Sequence, residues 1–149
     1  MANDIIETVN NIERQEYATA KGRAMHAQMQ HIFFDKNGNG VGNADIVARV
    51  SNLPDLIEFM GPLSQTEVPI AGTIDGKFIS RRIDRLYINH DLHRIVVLDY
   101  KTDLDKDLFR NKYIEQLKEY HALLKKIYHD YDVKCKILWL NDFTLENII

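Results

Sequence analysis

An aspartate and a lysine stand two positions apart at the end of an apolar stretch of the chain. Asp99 and Lys101 follow the run Ile95 to Leu98, which has the β-branched composition of a buried strand. Side chains two positions apart on a strand point to the same face of the sheet. The sequence therefore predicts a carboxylate and an ammonium side by side at the end of a buried strand.

The preceding strand brings a second aspartate to the same place. If the intervening turn is centred on His90 to His93, Asp84 lies directly opposite Asp99. Directly opposed residues share a face, and like charges there repel, so that the pair requires a neighbouring cation. Lys101 supplies part of that charge, in a structural ion pair or beside a divalent cation such as Mg²⁺, which prefers carboxylate oxygens. The hairpin alone leaves both interpretations open.

The elements that position these residues alternate between helical and extended periodicity. Helical spacing of apolar residues predicts a helix over 4–34, followed by a turn-rich loop over 35–43 and short helices from Ala44 and Pro54. Strands are predicted over 67–70, 78–88, 94–100 and 134–140, with a helix over 111–129 before the last of them and an edge strand at the C-terminus. This order predicts a single α/β domain with a mixed sheet between helices.

Composition limits the possible functions. The 149 residues are 45% hydrophobic, enough for one domain, and the net charge of -3 provides no global field that attracts nucleic acid. A single cysteine, Cys135, excludes an iron-sulfur cluster and any zinc site that needs several thiolates. The N-terminal stretch lacks a signal-peptide pattern, and no apolar run approaches the ~20 residues of a membrane span. We expect a soluble cytoplasmic protein without a membrane partner.

Several short motifs occur in a recognisable order. They are KGRAMH (21–26), TEVPI (66–70), IDRL (83–86), LDYKTD (98–103), YIEQLKEY (113–120) and KILWLND (136–142). Their types and spacing resemble the PD-(D/E)XK nuclease superfamily, and within it the C-terminal nuclease domain of the AddA and RecB helicase-nuclease subunits, with AddA the more similar. The resemblance runs from about residue 20 to the end. It implies a restriction-endonuclease-like mixed sheet flanked by helices.

The resemblance also implies roles for the residues at the strand ends. Asp84, Asp99 and Lys101 become the catalytic residues, with Lys101 contacting the scissile phosphate or the attacking water. The metal ligands become His26, Asp84, Asp99 and the backbone carbonyl of Tyr100. Carboxylates suit Mg²⁺, whereas a histidine ligand makes Mn²⁺ an effective substitute.

Other residues are assigned to the surroundings of this site. Gln116 and Tyr120 lie four positions apart on one helical face and are expected to line the DNA path. We assign Arg85 to DNA binding as a local cation, although arginines near a strand more often form a solvated face. Glu67 is expected near the metal, behind its direct ligands. Arg82 stands where many relatives have glycine; either the strand packs less tightly there or Arg82 contacts a phosphate.

The function that the resemblance implies is metal-dependent exonuclease cleavage of single-stranded DNA ends during repair of double-strand breaks. Residues 1–149 would then be a nuclease domain excised from a longer chain. Its partners would be a helicase domain and an AddB-like subunit. Two alternatives remain: a catalytically silent nuclease-fold module that binds single-stranded DNA or a protein, and a related nuclease outside repair, such as a phage exonuclease.

Overall fold

The computed structural model of the protein describes residues 20–102 and 106–149. The first part of the predicted N-terminal helix, over 4–19, lies outside the described residues. The elements before the main sheet are the helix α1 (Ala20–Met29), the short strands β1 (Phe33–Phe34) and β2 (Gly40–Val41), the helices α2 (Ala44–Ser51) and α3 (Pro54–Ile57), and a 3-10 turn (Glu58–Met60).

The helix α1 ends five residues earlier than predicted. Its last residue is Met29, and Phe33 and Phe34 pair with Val41 and Gly40 in a small antiparallel hairpin. Aromatic residues favour strands, and Gly40 allows the close return of the chain, because a Cβ atom there would lie 2.4 Å from Val47 Cγ1. The turn-rich loop predicted over 35–43 therefore contains the turn and the second strand of this hairpin, and the first strand replaces the end of the predicted helix.

A five-stranded mixed sheet lies at the centre of the described structure. Its strands, in spatial order, are β3 (Ser64–Ile74), β4 (Lys77–Asn89), β5 (Arg94–Lys101), β6 (Asp132–Trp139) and β7 (Thr144–Asn147). The strands β5 and β6 run parallel and are joined through the helix α4 (Lys106–Ile127), whereas the other neighbouring pairs are antiparallel. These elements confirm the predicted α/β class and its mixed sheet. The helices in the described part of the chain lack the long apolar stretch that a bilayer crossing requires.

Two hydrophobic clusters cover opposite faces of the sheet. Ile95 and Val97 of β5 join the cluster under α4, while Val96, Leu98 and Tyr100 join the cluster formed with α1, α2 and α3. A strand buried on both faces has an almost continuous apolar sequence, as this one does. Strand alternation then places Asp99 and Lys101 on the α4 side, at the end of β5.

The register of the β4–β5 hairpin is the predicted one. Arg85 pairs with Leu98 and Leu86 with Val97, which is the alignment that a turn over 90–93 produces. The paired residues end at Arg85 and Leu98, and Asp84 and Asp99 are the next residues along the two strands.

Candidate functional site

The first half of the site is an ion pair at the end of β5. Lys101 Nζ lies 2.8 Å from Asp99 Oδ2, and both side chains are almost fully buried. The ammonium also donates to Gln116 Oε1 at 2.9 Å and lies 4.5 Å from the centre of the Tyr113 ring. The helix α4 thus holds the Lys101 ammonium in a fixed position against a carboxylate, an amide oxygen and an aromatic face.

The second half of the site surrounds Asp84 on β4. Its Oδ1 lies 3.3 Å from His26 Nε2 on α1, and its Oδ2 accepts a 2.8 Å hydrogen bond from the backbone N–H of Tyr100. On a strand, the N–H and C=O of one residue point to the same neighbouring strand, and those of the next residue point to the opposite neighbour. The carbonyl of Lys101 points to β6, because it accepts from Leu140 N. The carbonyl of Tyr100 therefore points toward β4, the side on which Asp84 lies.

The protonation state of Asp84 follows from these contacts. Burial raises the pKa of its carboxyl, but the hydrogen bond from His26, the positive charges of His26 and Lys101, and the amide of Tyr100 together outweigh burial. The pKa of Asp84 is therefore below its ordinary value, and the carboxylate is ionised at neutral pH.

This lowered pKa makes the stability of the fold depend on pH. Because the folded pKa of Asp84 is below the unfolded one, its ionised form stabilises the fold above about pH 4, and that contribution disappears as the pH falls through the folded pKa. We expect the difference in free energy of unfolding between the wild type and Asp84→Asn to shrink between pH 6 and pH 3 in urea titrations. The control is Asp91→Asn, in the exposed β4–β5 turn. A difference that stays constant over this range would contradict the expectation.

Three side chains converge on a position suited to a metal ion. Candidate ligand atoms of His26, Glu67 and Asp84 all lie within 4.8 Å of one another. Glu67 has a left-handed backbone (φ 55°), and the β3–β4 ladder is interrupted there, between the pairs Thr66 with Arg85 and Val68 with Ile83. An imidazole nitrogen with carboxylate oxygens fits a divalent cation such as Mn²⁺, or Mg²⁺ completed by water. Glu67 thus lies among the candidate ligands themselves rather than behind them.

The predicted metal ligand Asp99 lies outside this group of three. Its carboxylate contacts Lys101, so the structure separates a metal-type cluster around Asp84 from an ammonium pair around Asp99. Asp84 accepts from the amide of Tyr100, and Asp99 pairs with the ammonium of Lys101. The two carboxylates are therefore bound to consecutive residues of β5. The assignment of Asp99 as a direct ligand stays a prediction.

The helix α4 continues the site toward β4. Gln116 Nε2 donates to the Tyr120 hydroxyl at 2.9 Å, and that hydroxyl donates to the backbone carbonyl of Arg82 at 3.4 Å. Burial raises the pKa of Tyr120, so the phenol is a neutral donor. Gln116 and Tyr120 therefore connect Lys101 to the strand that carries Asp84.

One predicted site residue, Arg85, lies outside the site. Arg85 is completely buried on the other face of the sheet, where its guanidinium donates to the Tyr100 hydroxyl, to Ser64 Oγ and to the carbonyls of Met29 and Ile32. A side chain without exposed surface cannot reach a phosphate. The prediction that Arg85 contacts DNA is therefore corrected: it joins β4 and β5 to the C-terminal end of α1.

Sequence reasoning also missed a contributor to the site. Tyr113 packs against the Lys101 ammonium, and its ring is buried. It lies three and seven positions before Gln116 and Tyr120, so the same helical spacing that selected those two residues would have selected it. Its role is to hold the ammonium rather than to meet a ligand.

A separate cavity of about 590 Å³ lies at the opposite end of β5, lined by residues that include Phe59, Arg94, Lys136 and Phe143. It shares no residue with the site. Arg94 begins β5, whereas Asp99 and Lys101 end it. The candidate chemistry is therefore located at the end of the strand and not in this cavity.

The chain matches no protein-family profile, and no curated protein sequence is similar to it. The resemblance to nucleases therefore stays a prediction from the order of the short motifs. To that order the fold adds the arrangement of Asp84, Asp99, Lys101 and His26 on neighbouring elements.

Proposed function

We propose that this chain is a metal-dependent deoxyribonuclease domain with a PD-(D/E)XK, restriction-endonuclease-like fold, acting as an exonuclease on single-stranded DNA ends. The observation that carries the proposal is that two pairs of side chains, one from each strand of the β4–β5 hairpin, lie close together. Asp84 lies against His26, and Asp99 lies against Lys101, with Asp84 also bonded to the amide between Asp99 and Lys101. A purely structural ion pair would account for Asp99 and Lys101 but not for the converging His26 and Glu67.

Hydrolysis of a phosphodiester must place a water molecule in line with the leaving oxygen and neutralise charge that builds on the phosphate. When bound, a Mg²⁺ ion lowers the pKa of a coordinated water and polarises the phosphoryl oxygen. The residues that would hold the ion are His26, Glu67 and Asp84, whose candidate ligand atoms converge. Asp99 and the Tyr100 carbonyl are proposed as further ligands.

The protein's own cation completes this chemistry. Asp99 and Gln116 fix the position of the Lys101 ammonium at the end of β5. An ammonium held in this way can donate to a phosphate oxygen as negative charge develops, without reorganising in the reaction. Gln116 is assigned to the same side of the DNA path. The prediction that Tyr120 also lines this path is corrected, because Tyr120 is only 1% exposed and instead binds Gln116.

The biological setting follows from the motif resemblance to AddA. We propose that a helicase domain delivers single strands to this site within a complex that includes an AddB-like subunit, in repair of double-strand breaks. The net charge of -3 supports this arrangement, because such a domain attracts DNA weakly by itself. With one cysteine, the chain provides too few thiolates for an iron-sulfur cluster of its own.

The test is degradation of end-labelled single-stranded DNA by the purified protein with Mg²⁺, Mn²⁺ or EDTA at low salt. We expect cleavage in both metals, none in EDTA, and a rate about tenfold lower for His26→Gln, because one ligand nitrogen is lost. A contaminating nuclease would be unaffected by that substitution. Absence of cleavage in both metals, with DNA binding retained, would favour the silent binding module instead.

A further inference from the structure

The distal half of the β3–β4 hairpin has one exposed face. Cross-strand pairing joins 69 to 82, 71 to 80 and 73 to 78, and all six of these residues are exposed. The alternate residues Ile70, Ile79 and Ile83 pack into the cluster under α4 instead. The six exposed residues, here called the exposed hairpin face, are Pro69, Ala71, Thr73, Phe78, Ser80 and Arg82.

The two largest side chains of this face are an aromatic ring and a guanidinium. Phe78 is 70% exposed, and the Arg82 side chain is 68% exposed. They lie four positions apart on β4, about 13 Å along the strand, with the small residues Ser80 and Ala71 between them. None of the six residues is acidic, and Arg82 places a positive charge at one end of the face, beside Glu67.

That charged end adjoins the candidate site. The backbone carbonyl of Arg82 accepts from the Tyr120 hydroxyl, and its guanidinium lies 3.9 Å from Glu67, at the outer limit of an ion pair. Arg81, by contrast, points to α4 and pairs with Glu119 at 3.2 Å. Arg82 is therefore the arginine of this strand that can meet a ligand on the exposed face.

We propose that the exposed hairpin face binds single-stranded DNA beside the site, with a phosphate on Arg82 and a base stacked on Phe78. Non-specific single-strand binding combines these two contacts, since every base has a stacking surface and every nucleotide a negative charge. The assignment of the strand as substrate rests on the proposed nuclease function, whereas the binding itself does not require cleavage. Of the two alternatives for Arg82, this proposal adopts the phosphate contact.

Binding is measured by fluorescence anisotropy of a labelled oligothymidine in EDTA at low salt, where cleavage is blocked. We expect Phe78→Ala to weaken binding about fivefold or more, and the matched Leu92→Ala, which removes an exposed apolar side chain from the other hairpin turn, to leave it unchanged. In Phe78→Trp, oligothymidine should quench the new indole emission, whereas Leu92→Trp should show no quenching. The native Trp139 is buried and serves as a constant background.

The phosphate contact is tested through salt dependence. We expect Arg82→Gln to reduce the slope of log Kd against log salt concentration by about 0.7, the value for one phosphate contact on a single strand. Arg81→Gln, whose guanidinium is paired on the other face, should leave the slope unchanged.

The outcomes separate this inference from the proposed function. Binding that depends on Phe78, in a protein that cleaves in neither metal, would support the exposed hairpin face and refute the nuclease. Metal-dependent cleavage with equal affinity for Phe78→Ala and Leu92→Ala would refute the exposed hairpin face alone. Failure of the wild type to bind oligothymidine at low salt would also overturn it.

Discussion

Asp84→Asn is expected to lower kcat/KM for cleavage of single-stranded DNA by about a thousandfold in Mg²⁺. The substitution keeps the shape of the side chain, and its remaining oxygen can still accept the 2.8 Å hydrogen bond from the Tyr100 amide. It removes the negative charge that faces His26 and that would hold a divalent cation. Loss of metal-based charge stabilisation is worth several kcal/mol in the transition state, and about 4 kcal/mol corresponds to a thousandfold.

The matched control for this substitution is Asp91→Asn, which removes the same charge from the exposed turn between β4 and β5. Its kcat/KM should equal that of the wild type. Far-UV circular dichroism and thermal melting of both variants establish that the comparison is made between folded proteins. If Asp84→Asn retained activity within tenfold of Asp91→Asn, the metal site would have to lie elsewhere.

Arg85→Met is expected to reduce the free energy of unfolding by about 3 kcal/mol. Four oxygens now accept hydrogen bonds from Arg85 in a buried environment: the Tyr100 hydroxyl, Ser64 Oγ, and the carbonyls of Met29 and Ile32. Methionine fills much of the volume and donates to none of them, and each buried acceptor left without a donor costs about 1–3 kcal/mol. Removing a buried charge offsets part of that loss.

The measurement is urea unfolding, with Arg81→Met as the matched control. Arg81 is a partly exposed arginine on the same strand, and loss of its ion pair with Glu119 should cost less than about 1 kcal/mol. Arg85→Lys should also destabilise the protein, because an ammonium has three donors and lacks the planar fork that reaches separate acceptors. Equal stability of Arg85→Met and Arg81→Met would contradict the structural role of Arg85.

The position of Arg85 also explains how its substitution would disturb the candidate site. Its guanidinium binds carbonyls at the C-terminal end of α1, the helix that carries His26, and the phenol of Tyr100, whose amide binds Asp84. Burial raises the pKa of the Tyr100 phenol to about 12, so it stays neutral and accepts from Arg85. One buried cation thus fixes two elements that must meet at the site.

Several features of the fold were predictable because they depend on local sequence. Strand alternation placed Asp99 and Lys101 on one face, and the turn between β4 and β5 set the register of the hairpin. Helical spacing predicted that Gln116 and Tyr120 lie on one side of α4, where they hydrogen-bond to each other. Each of these relations joins residues within one element or across one turn.

The tertiary structure decided which side chains of distant elements contact one another. From the sequence, Arg85 is one of three arginines on a strand, and only the packing of α1 on the sheet shows that it is buried and bonded to carbonyls more than 50 residues away. The convergence of His26, Glu67 and Asp84 likewise depends on how α1 and β3 meet β4. Local patterns fix the face on which a side chain lies, because that face follows from backbone periodicity. They do not fix its partner, because the partner depends on how separate elements pack together.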